Sequence, residues 1–180
     1  MKRIEFFRNT LKLSLAAGGC FFLGKNPAFG AKKEITQEND EQEKFREEWL
    51  VLLLKNIDEQ LDKKERIFLM ESCGRDCAGR GSTKLAATCR GDVPKLVDSL
   101  KKIIGEDGAK LTGNEVSITY DKCYCPIVNS IKPPLSDIYC YCSRGWLLEV
   151  FGIAAEKEVE VEILETIKRG GKSCKFIVRV

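Results

Sequence analysis

Cysteine is the residue type that could do chemistry in this sequence, since the chain has nine cysteines and no histidine. The lack of histidine excludes Ser-His and Cys-His nucleophilic pairs, His-liganded zinc catalysis and the usual proton shuttle near neutral pH. What is left is the chemistry of thiols, which can bind metals, attack substrates or form disulfides.

Two Cys-x-Cys pairs stand in the segment DKCYCPIVNSIKPPLSDIYCYCSRGW, namely Cys123 with Cys125 and Cys140 with Cys142. In a strand, residues two apart point to the same face, so each pair would place two sulfurs side by side. If neighbouring strands or turn ends bring the pairs together, the four sulfurs could hold zinc or an iron–sulfur cluster. The sequence therefore predicts one site at these four cysteines.

Three further cysteines are candidate metal ligands, Cys73, Cys77 and Cys89. Cys73 and Cys77 would share a face of a helix because they are four residues apart. They could complete the first site or form another one with Cys89. A simpler interpretation of Cys77 and Cys174, which fall on apolar faces, is that they are small buried hydrophobic residues.

The positions of Cys140 and Cys142 suggest that they ionise readily. Ser143 is a natural N-cap, and the amides of the helix that follows would point toward both sulfurs, close to the cation of Arg144. Both effects lower the pKa of a thiol, and the resulting thiolate can bind a metal or attack a substrate. Two alternatives to a binding site stay open: a thiol-dependent enzyme, either redox or hydrolase, and a disulfide-stapled extracytoplasmic domain.

Helices come first among the elements that must position these cysteines. One apolar stripe predicts a helix with its inner face at Phe45, Trp49, Leu52, Leu53 and Ile57. A second helix begins after Asp62, with Glu65 in a capping-box pattern, and should bury Ile67, Met70 and Cys77. A third runs from Asp92 to Gly105, with its inner face at Leu96, Val97, Leu100, Ile103 and Ile104.

Strands follow the helices, because apolar residues then alternate. The alternating positions are Val116, Ile118 and Tyr120, then Val159, Val161 and Ile163, then Cys174, Phe176, Val178 and Val180. One more helix begins at Ser143 and should pack through Trp146, Leu147, Val150, Phe151 and Ala154. This order predicts an α+β fold in which N-terminal helices precede an antiparallel sheet with one helix packed across it.

Residues 1–30 have the features of an export signal. A charged start is followed by the uncharged twelve-residue run LSLAAGGCFFLG and by the small residues Ala28 and Gly30. The run is shorter than the roughly 20 residues that span a bilayer as a helix, so no transmembrane span is expected after the leader is removed. Residues 31–180 should form a single domain in the periplasm or at the cell exterior; the alternative is a cytoplasmic protein.

The charge of the chain gives no reason to expect a nucleic-acid partner. The formal net charge is +3, but the leader carries five basic residues and one acid, so the remaining 150 residues sum to −1. Nucleic-acid binding needs a basic face. The cluster of Lys168, Arg169, Lys172 and Lys175 is small, and we interpret it as a solvated turn.

Several segments resemble known families. MESCGRDCAGRG, YDKCYCPIVNS, YCYCSRGWLLEVFG and VEVEILETIKRGGKSCKFIV are similar to an uncharacterised bacterial cysteine-rich family, and the last forty residues also resemble hydrocarbon-binding domains of the vinyl-four-reductase type. That resemblance implies an α+β fold with a pocket for a small apolar ligand. The leader KRIEFFRNTLKLSLAAGG resembles a twin-arginine signal, with Ile4 in place of the second arginine. We therefore expect an exported domain that binds a metal, a small molecule or both through paired thiolates.

We predict that the leader is removed, because small residues follow its apolar run, and that the mature chain begins near Ala31. N-terminal sequencing of protein from the native host checks this. Soluble cytosolic protein that retains Met1 would contradict export.

Overall fold

The computed structural model describes residues 31–132 and 134–180. The predicted export signal, with Cys20, lies outside the described residues. Helices α1 (Ala31–Gln60), α2 (Lys63–Gly79), α3 (Ser82–Ala87) and α4 (Val93–Ile104) come first. Packing is described for Asp40–Val180, which form one compact unit. None of the described helices is long and apolar enough to cross a membrane.

Four strands and one more helix complete the order of elements. They are β1 (Ala109–Thr112), β2 (Glu115–Tyr120), α5 (Tyr141–Ala155), β3 (Glu160–Glu165) and β4 (Cys174–Arg179). The strands form one antiparallel sheet in the order β1-β2-β4-β3. The predicted α+β class, with helices before an antiparallel sheet and a helix packed on it, is confirmed.

The first core lies between the sheet and helices α4 and α5. On the sheet side, alternate residues of β2 and β4 are buried, as their period predicts, and Val116 pairs with Val178. On the helix side, Phe151 of α5 is 0% exposed. Ile103 of α4 was expected in this core, but it is 57% exposed because the inner face of α4 is formed by Leu96, Val97 and Leu100.

Helices α2 and α5 cross with their backbones in contact, and a glycine on each helix makes this possible. A Cβ atom on Gly74 would overlap the carbonyl group of Cys142 and lie 2.9 Å from the backbone nitrogen of Trp146. A Cβ atom on Gly145 would overlap the carbonyl of Glu71 and lie 2.7 Å from its Cα. Both are closer than non-bonded atoms approach, so no other residue fits at either position without a shift of a helix.

The capping box predicted at the start of α2 is confirmed. The Asp62 side chain accepts hydrogen bonds from the backbone of Lys64 at 2.7 Å and of Glu65 at 2.9 Å, and Glu65 Oε2 accepts from the Asp62 backbone at 2.9 Å. Met70 is buried, as expected. Cys77 is exposed, because the buried face of α2 runs through Met70, Gly74 and Ala78.

A second core forms where α1 and α2 meet the segment between β2 and α5. Its buried residues are Leu54, Met70, Val128, Ile131, Leu135, Ile138 and Tyr139. The stripe predicted for α1 is wrong, since Phe45 and Trp49 are 66% and 55% exposed. Leu50 and Leu54 face the core instead. Both sets have helical spacing, so periodicity alone could not distinguish them.

We predict that Gly74→Ala destabilises the fold, because the added methyl group pushes α2 away from α5. The expected loss in free energy of unfolding is about 1–3 kcal/mol, the usual cost of overpacking. Gly79→Ala is the matched control on the same helix, since its Cβ would meet nothing within 4 Å, and it should be neutral or slightly stabilising. Denaturant unfolding under reducing conditions measures both, and equal effects would contradict a close helix contact.

Candidate thiol site

Neither Cys-x-Cys pair lies in a strand. Cys123 and Cys125 are in the irregular segment after β2, Cys140 is the N-cap of α5, and Cys142 is in its first turn. Residues two apart in a helix point about 200° apart around its axis, so the sulfurs of Cys140 and Cys142 diverge. The expected same-face arrangement is therefore wrong for this pair, and the thiols fall into two groups.

Cys142 is at the centre of the first group. It is half-buried and packs against the second core. Burial raises the pKa of Cys142 to about 12, and the charges of Cys125, Cys77, Cys73 and Cys140 raise it further, in that order of size. The thiols with the largest effect on the pKa of Cys142 thus come from the segment after β2 and from α2. Cys140, only two residues away in the chain, has a smaller effect.

Cys125 is fixed by a buried tyrosine. Its Sγ and the Tyr139 hydroxyl share a hydrogen bond of 3.3 Å. Burial and then this bond raise the pKa of Tyr139. Cys125 and Cys142 both pack against the second core, and among the thiols Cys125 raises the pKa of Cys142 most.

The two thiols of α2 are exposed, and the helix crossing brings them to this group. Gly74 contacts the carbonyl group of Cys142, so Cys73, its neighbour in the chain, is beside the first turn of α5. Cys77 is one helical turn further on. The charges of Cys77 and Cys73 accordingly raise the pKa of Cys142, although more than sixty residues separate them from it in sequence.

Cys140 is at the centre of the second group and is 6% exposed. Burial raises its pKa, as do the charges of Cys123 and Cys125, while the Thr166 hydroxyl and the Arg169 guanidinium lower it. Burial is the largest of these effects and prevails, so the pKa of Cys140 is raised. Cys123 and Cys125 are thus the thiols whose charges act on Cys140.

Cys174 joins this second group, although its position suggested only a core residue. It is buried in β4 opposite Tyr120 of β2, and the backbone nitrogen of Ile167 donates to its Sγ at 3.5 Å. Burial raises the pKa of Cys174 to about 11; the Ile167 bond lowers it, and the charges of Cys140 and Cys123 raise it. Strand register, which the sequence does not give, places it there.

Cys89 lies apart from both groups. It is 1% exposed, belongs to the first core, and has the Thr88 hydroxyl 3.7 Å from its sulfur. Cys89 is thus a small buried residue of the first core, whereas Cys73 and Cys77 are exposed.

The predicted activation of Cys140 and Cys142 is wrong. Burial dominates and raises the pKa of both thiols. Arg144, the expected cation, pairs with Glu71 and donates from Nε to the carbonyl of Val161 at 2.6 Å. Its charge is therefore compensated by α2, and it holds α5 to both α2 and β3.

The eight cysteines that the structure describes are free thiols, with no disulfide among them. In the same part of the chain, no group of three or more cysteine, aspartate or glutamate side chains is arranged to hold a metal ion as it stands. Any such site would need the thiols to move toward one another.

Lys168 contributes to the site, and the sequence analysis missed it by assigning it to a solvated turn. Its side chain is 4% exposed, and its Nζ donates to the carbonyls of Asn129 and Ile131, which lie between the two Cys-x-Cys pairs. Lysine beside a glycine turn usually faces water. No pattern in the sequence therefore signals its burial.

Comparison with known proteins gives a family and a distant structural likeness. The family of unknown function DUF6144 matches residues 26–179. No curated protein matches the chain. The crystal structure of a trafficking protein particle complex subunit 3 from Naegleria fowleri, covalently bound to palmitic acid, is similar with a TM-score of 0.46 and 19% identity, over 78% of this chain and 95% of that one.

The raised thiol pKa values predict a loss of stability at alkaline pH. Above pH 9.0, the ordinary pKa, the unfolded chain loses these protons, whereas folded Cys174 and Cys142 keep theirs to about 11 and about 12. The free energy of unfolding should therefore fall as pH rises from about 9 toward 12. Denaturant unfolding of reduced, metal-free protein at a series of pH values measures this. In Cys142→Ser, the slope of the free energy of unfolding against pH should be smaller, by the equivalent of up to one bound proton. An identical slope in the variant would contradict the raised pKa.

Proposed function

The chain belongs to the DUF6144 family of unknown function, and from the grouping of its thiols we propose that it binds a zinc ion through four cysteines. Cys125 and Cys142 provide two of the sulfurs, and Cys73 and Cys77 of α2 provide the other two. Four thiolates in a tetrahedron, with Zn–S bonds of about 2.3 Å, are a usual structural zinc site.

One observation carries this proposal: after burial, the pKa of Cys142 is raised by the charges of Cys125, Cys77 and Cys73, which lie in two other segments of the chain. Thiolates so placed repel one another, and this repulsion favours the protonated forms. A divalent cation reverses that balance, because it binds the thiolates and releases their protons. The group is therefore suited to a soft cation that becomes bound only as the thiols ionise.

Binding would require the thiols to move toward one another, since no three donors in the described residues are arranged to hold an ion. Cys73 and Cys77 are exposed, so their side chains are free to turn toward α5. They are also one helical turn apart on α2, which allows both to reach a single ion. The proposal thus needs the side chains of Cys73 and Cys77 to rotate toward Cys125 and Cys142.

The other functions considered for this chain receive less support. A thiol nucleophile works as the thiolate, and the pKa values of Cys140 and Cys142 are raised by burial. An iron–sulfur cluster needs the same four sulfurs, and elemental analysis distinguishes it from zinc. Disulfide staples become the better explanation if protein prepared without reductant contains no free thiols and no metal.

Two expectations from the sequence accompany the proposal and stay predictions. A twin-arginine-like leader would deliver the protein to the periplasm or the cell exterior. The likeness of the last forty residues to hydrocarbon-binding domains would add a small apolar ligand. The zinc site depends on neither expectation, because none of its four cysteines lies in the leader and only Cys142 falls within the last forty residues.

We predict that full-length protein, purified anaerobically with its thiols reduced, binds one zinc ion and releases up to about four protons, one per thiol that was protonated beforehand. Titration against a chromophoric chelator gives the affinity. Cobalt substitution should give the spectrum of a tetrahedral thiolate site. Cys142→Ser should weaken binding by at least about 100-fold, since loss of an outer partner alone costs about 10–100-fold.

Cys140→Ser is the matched control, because it is two residues away and its sulfur faces the other group. It should bind zinc as the unmodified chain does. Equal losses in the two variants would contradict the proposed ligand set, and protein that binds no ion would contradict the function itself.

A further inference from the structure

The segment that carries Cys123 and Cys125 contains no regular secondary structure. We call residues 121–139, which connect β2 to α5, the thiol loop; the structure describes all of them except residue 133. Short turns bend it, including the one in which the backbone of Asn129 donates to the carbonyl of Cys125 at 3.0 Å. Such turns set local shape but cannot place the loop against the rest of the protein.

Two consecutive residues of the turn between β3 and β4 hold the thiol loop from outside. Lys168 Nζ donates to the carbonyl of Asn129 at 3.3 Å and to that of Ile131. The backbone carbonyl of Lys168 accepts from the nitrogen of Leu135 at 2.7 Å. Arg169 Nε donates to the carbonyl of Asp137 at 2.6 Å. These contacts reach both halves of the loop.

The Lys168 contacts are strong for an electrostatic reason. The side chain is 4% exposed, and no carboxylate in the described part of the chain pairs with it. A buried ammonium group is costly unless hydrogen bonds compensate for the lost water. Carbonyl oxygens that accept from a charged donor form stronger bonds than those between neutral groups. Loss of the amine would therefore release both carbonyls from the turn.

The connection from Lys168 to the thiols is short. Lys168 Nζ donates a hydrogen bond to the carbonyl of Asn129, and the backbone nitrogen of Asn129 donates one to the carbonyl of Cys125. Val128, which precedes Asn129 in the same turn, is 0% exposed and anchors this part of the loop in the second core. A displacement of the loop at Asn129 would thus move Cys125 relative to Cys142.

We infer that Lys168 is a positioning residue, which clamps the thiol loop so that Cys125 faces Cys142. The clamp itself follows from hydrogen bonds alone. Its consequence for zinc affinity rests on the proposed function. Lys168 would act only through the backbone of the loop, without touching the ion.

The test compares Lys168→Met, which keeps the apolar stem and removes the amine, with Lys172→Met, which changes an exposed lysine after the same turn. The first measurement is the rate at which iodoacetamide labels each cysteine in metal-free protein, followed by peptide mass. In Lys168→Met, labelling of Cys123 and Cys125 should rise at least about tenfold, as expected for local opening. Cys89, buried in the first core, should stay protected in both variants.

The second measurement is zinc affinity. It should fall by about 10–100-fold in Lys168→Met, the range for loss of a residue that orients a ligand, and stay unchanged in Lys172→Met. The zinc affinity of Lys168→Gln, whose amide can still donate to one carbonyl, should lie between those of Lys168→Met and the unmodified chain. If the unmodified chain binds no zinc, the proposed function fails while labelling still tests the clamp. If zinc binds equally well to Lys168→Met, the clamp has no role in the site and the proposed function stands.

Two labelling results would also overturn the inference. One is unchanged labelling of Cys123 and Cys125 in Lys168→Met. The other is labelling of Cys89 at the same raised rate in both Lys168 variants, because Lys168 would then support the whole fold and not the loop in particular.

Discussion

The contact between the backbones of α2 and α5 is the constraint on which the arrangement of this protein depends. Gly74 and Gly145 each face a carbonyl of the opposite helix at a distance that leaves no space for a Cβ atom. Ion pairs lie beside the contact, since Arg144 binds Glu71 and Arg75 Nη1 is 2.9 Å from Glu149 Oε2. Two glycines and these pairs therefore set the distance between the helices.

The same contact determines which thiols can act together. It brings the first turn of α5, with Cys142, against the part of α2 that carries Cys73 and Cys77. The thiol loop carries Cys125, whose sulfur shares a hydrogen bond with the Tyr139 hydroxyl and whose charge raises the pKa of Cys142. Metal binding at Cys142 should therefore depend on how α2 and α5 pack, and a substitution that separates the two helices should weaken it.

The sequence predicted the elements better than the grouping of their cysteines. The capping box at Asp62 and the alternation in β2 and β4 were correct because they depend on neighbours in the chain. The two Cys-x-Cys pairs were read as same-face pairs of strands, whereas α5 begins at Tyr141 and turns Cys140 and Cys142 apart. A shift of a helix start by two residues was enough to change the site. Element boundaries are the part of such predictions that local patterns determine least.

Other features depended on contacts distant in sequence. Burial of Lys168 results from carbonyls nearly forty residues away, and Cys174 meets the second group of thiols through the register of β4 with β2. The apolar stripe of α1 was a plausible inner face, but the second core accepts Leu50 and Leu54. Composition and periodicity say that a residue can be buried; its partners are determined by the fold.

The central claim is that the crossing of α2 and α5 assigns Cys142 to the thiols of α2. A crystal structure of the zinc-loaded protein, with anomalous differences measured on both sides of the zinc absorption edge, tests it most directly. The account predicts one zinc peak within about 2.3 Å of the sulfurs of Cys142 and Cys125, with Cys73 and Cys77 completing the tetrahedron. A peak bound by Cys140 and Cys123 without the thiols of α2 would contradict it.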